Sequence, residues 1–189
     1  MATRANVDSL IVDLRQNGGG STDAVALLAT YLVGPAPTHL NDIYDPRSRR
    51  TRQSWTLSYV AGRPLFGAEV YVLTSRDTFS AGEEFAYDLQ AIHRATTVGE
   101  RTRGAANSGS PRRLSDHFVL KVPTGVSINP VTKTNWDGVG VRPDIETPAA
   151  EAFAQAYLMA LKKSGRTPES AVPPDPAGPA SPPVQLLCP

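Results

Sequence analysis

Two segments of similar layout organise this chain: residues 10–20 read LIVDLRQNGGG, and residues 70–85 read VYVLTSRDTFSAGEEF. In each segment a short apolar run is followed by a turn of small and polar residues and then by a helical pattern. Short, continuous apolar runs are typical of strands that are buried on both faces of a parallel sheet. Two strand–turn–helix units in series imply right-handed crossovers, and they therefore predict an α/β fold with a largely parallel sheet.

Helical periodicity predicts three helices. The first follows capping residues at 21–23 and ends at 34–35, the second begins near Ser80, and the third covers residues 149–163. Their apolar positions recur on one face, at Val25, Leu28 and Leu32, at Phe85, Leu89 and Ile92, and at Phe153, Tyr157 and Leu161. Residues 38–60 suggest a hairpin or an insertion, short strands are expected at 96–98, 118–122 and 125–128, and residues 135–144 form a Gly-rich loop.

The composition excludes several classes of protein. The 189 residues include 19 Lys and Arg and 18 Asp and Glu, so the formal net charge is +1, which argues against a nucleic-acid-binding surface spread over the whole domain. No run of about 18 apolar residues is present, so we expect no integral membrane segment. This chain shows no signal peptide, which leaves the compartment open. Cys188 is the one cysteine, so an internal disulfide and a Cys-cluster zinc site are excluded, and we expect no metal and no cofactor.

Proline usage divides the chain. Eight of the 17 prolines lie in the last 22 residues, where large apolar residues are scarce until 184–187. Such a segment cannot bury enough surface to offset the entropy of ordering it. We therefore expect a folded core over residues 1–164 and a flexible, Pro-rich tail over residues 165–189. The alternative is a docking segment that ends in VQLLCP.

The first candidate site lies in residues 13–20, DLRQNGGG. Three glycines between a strand and a helix let the backbone turn tightly and expose its N–H groups near the positive end of the helix dipole. This arrangement suits an oxyanion hole or a phosphate cradle, although the Lys-[Ser/Thr] ending of a P-loop is missing. The alternative is a plain strand–helix turn. Asp13 and Arg15 flank the strand end, and we expect them to form a structural ion pair.

The second candidate site surrounds Ser80, at the entrance of the second helix. A hydroxyl in this place can act as a nucleophile, and the N–H of Ala81 can donate a hydrogen bond to a developing oxyanion. The alternative is structural, because Ser80 followed by Glu83 matches a capping box. Together the two strand–turn–helix units could present backbone donors to the same point.

Four motifs in order carry a family resemblance: DLRQNGGG (13–20), LTSRDTFSAGEEFAYDL (73–89), ATTVGERTRGAA (95–106) and NWDGVGVRPDIE (135–146). They resemble the catalytic core of the tail-specific (C-terminal processing) serine peptidases, in the branch that includes interphotoreceptor retinoid-binding protein and the tricorn protease core. The resemblance covers roughly residues 7–161. It implies a crotonase-like (ClpP-like) spiral of ββα units, peptide or protein substrates and the possibility of an oligomer. Relatives in this family are commonly exported.

The resemblance also implies roles for individual residues. Ser80 would be the nucleophile that forms an acyl-enzyme, and the oxyanion hole would consist of the N–H of Ala81 and that of Gly19 or Gly20. Asp137 stands where the tricorn-like branch has a catalytic glutamate.

The general base is where this sequence departs from the family. One branch uses a lysine about 25 residues after the nucleophile, but that position here is Ala105. The tricorn-like branch uses a Ser–His pair that precedes the DLR strand, which predicts a core that lacks its N-terminal part. His93 would lie about 19 Å along the helix from Ser80 and cannot reach it, whereas His39 and His117 remain open.

Three functions are compatible with these observations. The leading one is a serine-type peptidase that acts through Ser80, with the isolated chain weakly active or inactive. The second is a non-catalytic binding module for an apolar ligand such as a retinoid or a fatty acid. The third is a crotonase-like acyl transfer from a thioester, which would need the oxyanion hole but not Ser80.

Overall fold

The computed structural model describes residues 7–109 and 111–166. In chain order these residues form β1 (Ser9–Asp13), α1 (Thr22–Val33), β2 (His39–Asp45), β3 (Arg50–Trp55), β4 (Glu69–Thr74), α2 (Ala81–Ala91), β5 (Thr96–Gly99), β6 (Pro111–Arg113), β7 (Val119–Lys121), β8 (Val126–Ile128), β9 (Ile145–Glu146) and α3 (Ala149–Lys163).

A four-stranded parallel sheet forms the centre of the fold. Its strand order is β1–β4–β5–β9, and all three neighbouring pairs are parallel. The two apolar runs are adjacent in it, since Val12 of β1 is in register with Val72 of β4. The predicted α/β fold with a parallel sheet is confirmed.

Strand β4 is buried on both of its faces. Val70 and Val72 belong to a core shared with Phe85 and Leu89 of α2 and with the buried side of α1. The alternate residues Tyr71 and Leu73 belong to a second core against α3. Successive side chains of a strand point to opposite faces, which explains why a continuous apolar run was needed here.

The helices are confirmed, but their buried faces differ in detail from the predicted stripes. In α3 the fully buried residues are Ala152 and Ala156, because small side chains let the helix lie close to the sheet. The rings of Phe153 and Tyr157 instead stack on each other, 6.1 Å apart. In α1, Leu28 is 50% exposed.

A second, antiparallel sheet has the order β3–β2–β8, and β6 pairs with β7 in a separate hairpin. Strands β2 and β3 are the hairpin that residues 38–60 suggested. The expected strand at 118–122 shortens to β7, whose three residues are exposed. Strands β6 and β9 were not predicted, because three and two residues are too few to show the alternation of apolar and polar residues that indicates a strand.

The last helix marks the end of the described core. Helix α3 ends at Lys163, and the Pro-rich tail from residue 167 lies outside the described residues. Among the helices of the described ranges, none has the length and apolar character needed to cross a membrane.

A pair of leucines tests the assignment of the core. Leu73 is completely buried between the sheet and α3, whereas Leu28 is half exposed. We expect Leu73→Ala to lower the free energy of unfolding by about 2–5 kcal/mol, because it leaves a cavity, and Leu28→Ala to lower it by less than about 1 kcal/mol. Urea denaturation of both variants measures the difference, and equal losses would contradict this core.

Candidate active site

The turns that follow β1 and β4 are bound to each other. The hydroxyl of Thr78 donates to the carbonyl of Leu14 at 2.8 Å, and the N–H of Phe79 donates to the carbonyl of Asn17 at 2.9 Å. The first turn is therefore fixed along the second, at the carboxyl ends of two adjacent parallel strands, which is where α/β folds commonly hold their ligands.

Gly19 lies directly against Ser80. A Cβ atom added to Gly19 would be 2.9 Å from the Cβ of Ser80, which is too close for two carbon atoms. Gly19 also has φ of +108°, a conformation that other residues rarely adopt. The structure thus brings the two helix entrances together, and it leaves no room for a side chain between them.

Ser80 has a strained backbone conformation, with φ of 54° and ψ of −118°. It is the second residue of a tight turn that the hydrogen bond from the Gly82 N–H to the Phe79 carbonyl closes at 3.1 Å. Glycine usually occupies this position in such a turn, and another residue costs about 1–3 kcal/mol there. A strained serine on a strand-to-helix turn is the arrangement that exposes the nucleophile in many hydrolases.

The carboxylate of Glu83 holds this strained turn in place. It is completely buried, and it accepts four hydrogen bonds: from the Ser80 N–H at 2.8 Å, the Thr102 hydroxyl at 2.6 Å, the Gly104 N–H at 2.6 Å and the Ala105 N–H at 2.9 Å. Glu83 therefore makes the capping hydrogen bond to the Ser80 N–H that the sequence suggested. Its other three hydrogen bonds join α2 to residues 102–105.

Two backbone N–H groups at this junction are available to a ligand. Within the described part of the chain, the N–H groups of Gly20 and Ala81 find no hydrogen-bond acceptor. The N–H of Gly19 instead donates to the side-chain oxygen of Asn17 at 2.9 Å. Gly20 immediately precedes Ser21, the N-cap of α1, so both available donors lie at the positive ends of helix dipoles.

The side chain of Asn17 also explains the glycine at position 82. A Cβ on Gly82 would lie 2.6 Å from the Asn17 Oδ1 atom, the atom that accepts from the Gly19 N–H. The glycine in the second motif therefore makes room for the asparagine of the first.

Two cavities meet at the available donors. A polar cavity of about 190 Å³ is lined by Ser80 among others, and an apolar cavity of about 340 Å³ lies on the other side. Gly20 and Ala81 line both of them. The walls of the apolar cavity are mainly the aliphatic and aromatic side chains of Val12, Leu14, Ala24, Val25, Leu28 and Phe85.

Asp137 does not line the polar cavity that contains Ser80. Its Oδ1 accepts the N–H groups of Ala106 and Asn107 at 3.0 and 3.3 Å. Ala106 and Asn107 line the polar cavity, whereas Asp137 is not among its lining residues. The carboxylate therefore supports one wall of the cavity from behind.

The histidines do not reach Ser80 in this structure. His39 contacts Asp42 at 2.8 Å and stacks on Trp55, and both His93 and His117 are exposed. In the described ranges no histidine lines the polar cavity.

Asp13 and Arg15 form the expected structural ion pair. The Arg15 Nη2 atom lies 2.7 Å from the Asp13 carboxylate, and Nη1 donates to the carbonyl of Ala149 at 2.8 Å. The pair joins the end of β1 to the beginning of α3, on the side of the sheet away from Ser80.

Two buried acids on α2 were missed by the sequence analysis. Glu84 accepts a hydrogen bond from Asn41 at 3.2 Å, and burial raises its pKa to about 7. Asp88 accepts one from Asn129 at 3.0 Å, and burial raises its pKa well above the usual range. Their signal was in the sequence, because carboxylates at 84 and 88 lie next to the apolar positions 85 and 89 of the same helix.

Comparison with known proteins assigns the family. The model for peptidase family S41 matches residues 1–147. This chain belongs to peptidase family S41. The S41 chain is 31% identical over 144 residues to the tricorn protease of Thermoplasma volcanium, covering 76% of this chain and 13% of that protein. It is 31% identical over 121 residues to the tail-specific protease of Haemophilus influenzae, covering 63% of this chain and 16% of that protein.

A solved structure supports the same assignment. The photosystem II D1 C-terminal processing protease is similar to the S41 chain with a TM-score of 0.61 and 26% identity, covering 76% of this chain and 35% of that one. The resemblance to tail-specific and tricorn peptidases is thus confirmed. The S41 chain spans less than a fifth of the length of both curated relatives, and these comparisons give no support to the retinoid-binding alternative.

Neighbouring glycines test the contact between the two turns. We expect Gly19→Ala to lower the free energy of unfolding by about 1–3 kcal/mol from backbone strain alone, with a further loss from its overlap with Ser80. Gly18→Ala is the matched control, because a Cβ on Gly18 has no atom within 4 Å. Chemical denaturation compares the two, and a G19A variant as stable as G18A would show that the turns are further apart.

The protonation of Glu84 predicts a pH-dependence of stability. Because folding raises its pKa from 4.5 to about 7, its contribution to stability is complete below about pH 4.5 and is lost as the pH rises towards 7. We expect the Glu84→Gln variant to lack this loss of folding stability between pH 4.5 and pH 7. At pH 8 it should therefore be more stable than the wild type by about 3 kcal/mol. The raised pKa of Asp88 also makes the folded protein less stable as the pH rises.

Urea denaturation between pH 4 and pH 8 measures this effect. Glu146→Gln is the control, because the Glu146 side chain is 59% exposed and its replacement should leave the profile unchanged. Parallel profiles for the wild type and E84Q would refute the raised pKa.

Proposed function

We propose that this chain is the part of a serine peptidase that carries the nucleophile, Ser80, and that it hydrolyses peptide bonds through an acyl-enzyme. One observation supports this above all: a serine in a strained conformation lines the polar cavity beside two available N–H donors, and these donors border the apolar cavity as well. Membership of peptidase family S41 supplies the class of reaction.

The chemistry follows from the positions of the donors. Ser80 Oγ attacks the carbonyl carbon of a peptide bond, and the carbonyl oxygen gains negative charge as the tetrahedral intermediate forms. The N–H groups of Ala81 and Gly20 stabilise that oxygen, helped by the dipoles of α2 and α1. Expulsion of the amine leaves an acyl group on Ser80, which water then removes.

Gly19 and Asp137 would have supporting roles in this mechanism. Gly19 allows the first turn to approach Ser80, and its own N–H is bound to Asn17. Asp137 fixes the backbone of Ala106 and Asn107, which forms a wall of the polar cavity. We therefore assign Asp137 a positioning role.

The substrate would be a peptide or protein with an apolar side chain next to the bond that is cut. The apolar cavity borders both oxyanion donors, and no charged side chain is among its lining residues in the described part of the chain. A charged substrate side chain would be desolvated there without a partner, which is costly.

The other two functions fit less well. An apolar-ligand module would not require a serine in a strained conformation in the neighbouring polar cavity. An acyl transfer from a thioester would need the two N–H donors but not Ser80. The cost of about 1–3 kcal/mol for holding Ser80 in its conformation is explained only where its hydroxyl takes part.

A fluorophosphonate probe tests the role of Ser80, since it reacts with activated serines. We expect covalent labelling of the wild type and none of Ser80→Ala or Ser80→Gly. The glycine variant should also be more stable than the alanine variant by about 1–3 kcal/mol, because it relieves the backbone strain. Mass spectrometry locates the label, and labelling that persists in both variants would overturn the proposal.

Two variants of one glycine separate the N–H donor from the shape of the turn. Gly20→Ala keeps the N–H, and its Cβ would have open space around it, so we expect labelling close to that of the wild type. Gly20→Pro lacks the N–H, and we expect labelling to fall by about 100- to 1,000-fold. Equal labelling of G20A and G20P would remove Gly20 from the oxyanion hole.

A further inference from the structure

The glycine-rich turn contains a reactive pair of residues, because Asn17 is followed directly by Gly18. The backbone nitrogen of the residue after an asparagine can attack the side-chain amide and close a five-membered succinimide ring. Glycine in that place favours the attack, since it has no side chain to hinder it and the most adaptable backbone. Of the six asparagines in the sequence, only Asn17 precedes a glycine.

The side chain of Asn17 is folded back along the turn. Its Oδ1 atom accepts the N–H of Gly19 at 2.9 Å, which is the bond that an asparagine side chain makes to the backbone two residues on. The same oxygen lies against α2, since a Cβ on Gly82 would be 2.6 Å from it. The amide group is therefore held beside the backbone of Gly18, which contains the nitrogen that would attack it.

The other atoms of this reaction are not engaged elsewhere. Among the described residues, no acceptor is bound to the N–H of Gly18 or to the Nδ2 atom of Asn17, which would leave as ammonia. Gly18 is exposed, and a Cβ added to it would meet no atom within 4 Å. The ring thus has room to form, and water can reach it.

The turn also supplies a hydrogen-bond donor for the intermediate. When the Gly18 nitrogen bonds to the Cγ atom of Asn17, the amide oxygen gains negative charge. The N–H of Gly19 already donates to this oxygen, and a donor aimed at a developing oxyanion stabilises it. The backbone that lies beside Ser80 therefore favours an attack on the side chain of Asn17.

We propose that Asn17 is a site of spontaneous deamidation and that its conversion lowers the reactivity of Ser80. The Gly18 nitrogen bonds to Cγ and gives up its proton, the bond from Cγ to Nδ2 breaks, and ammonia leaves. Water then adds to one of the two carbonyl carbons of the succinimide and opens the ring. One opening gives an aspartate at position 17, and the other gives an isoaspartate, whose main chain runs through the former side chain.

Both products would impair the oxyanion hole. An aspartate has the shape of the asparagine, but its negative charge lies against Gly19 and Gly82. Each of these glycines is the chain neighbour of one of the two oxyanion donors, so the charge opposes negative charge on the substrate oxygen. An isoaspartate lengthens the main chain by one carbon atom, and Gly19 has no room to shift towards Ser80. This effect on reactivity, unlike the deamidation itself, rests on the proposed function.

Other asparagines of the chain are internal controls. Asn41, Asn129 and Asn135 all donate hydrogen bonds from Nδ2 to protein oxygens, and none of them precedes a glycine. Their amide groups are thus held where that of Asn17 is free to leave. We expect these three residues to remain asparagine under conditions that convert Asn17.

Incubation of the folded 189-residue chain at 37 °C and pH 8, followed by peptide mass spectrometry, tests the modification. We expect the peptide that contains position 17 to gain the mass difference between an amide and a carboxyl group, and to separate into an aspartate and an isoaspartate form. The rate of fluorophosphonate labelling, relative to each sample before incubation, should fall in proportion to the converted fraction. Gly18→Ala, whose Cβ has open space, should show neither change in the time that converts half of the wild type.

Asn17→Asp measures the effect of the charge without the reaction. We expect this variant to be labelled about 10- to 100-fold more slowly than the wild type. It keeps the oxygen that accepts the Gly19 N–H, and a carboxylate near the N-terminus of α1 is favourable. Urea denaturation should therefore find N17D at least as stable as the wild type, so that unfolding does not explain the slower labelling.

The outcomes separate this inference from the proposed function. If position 17 stays an asparagine in the folded chain while the urea-unfolded chain is converted, Asn17 is protected by the fold and the modification site is overturned. Conversion with an unchanged labelling rate, or wild-type labelling of N17D, would overturn the effect on Ser80 and leave the peptidase proposal standing. A fresh chain that is never labelled at Ser80 would overturn the proposed function and this effect together, whereas mass spectrometry would still decide whether Asn17 deamidates.

Discussion

The buried carboxylate of Glu83 is the contact on which the geometry around Ser80 depends. The parallel sheet brings two strand ends side by side, but it does not determine the φ and ψ of the residue at a helix entrance. Four donors converge on Glu83, from the Ser80 N–H and from residues 102–105. Hydrogen bonds to a charged group contribute roughly 1.5–3 kcal/mol each, which is enough to offset the strain of about 1–3 kcal/mol at Ser80.

Much of this arrangement could be predicted from the sequence because it follows from backbone geometry. The apolar run at 70–73 required burial on both faces, and β4 has it. Parallel strands place their carboxyl ends at one edge of a sheet, so the sequence indicated that the glycine-rich turn and the serine-bearing turn could be close, and the pairing of β1 with β4 brings them together.

The rest could not be predicted because it depends on where individual atoms point. The sequence offers Gly19 and Gly20 as equals, and only the bond from Gly19 to Asn17 separates them. It offers Asp137 as a carboxylate, but not the two backbone N–H groups that occupy it. The position of Glu84 beside the apolar residues of α2 is only a weak signal of burial, because an acid in a helix is ordinarily solvated. The packing of α1 and β2 against α2 is what encloses it.

The contact between Asn17 and Gly82 has a consequence for how this sequence can change. The two residues are 65 positions apart, but the side chain of one fills the space that a Cβ of the other would need. A substitution at position 82 that is harmful beside asparagine could be neutral beside a smaller residue at position 17. The effects of substitutions at positions 17 and 82 are therefore expected to be epistatic. A larger residue at position 82 should become tolerable only together with a smaller residue at position 17.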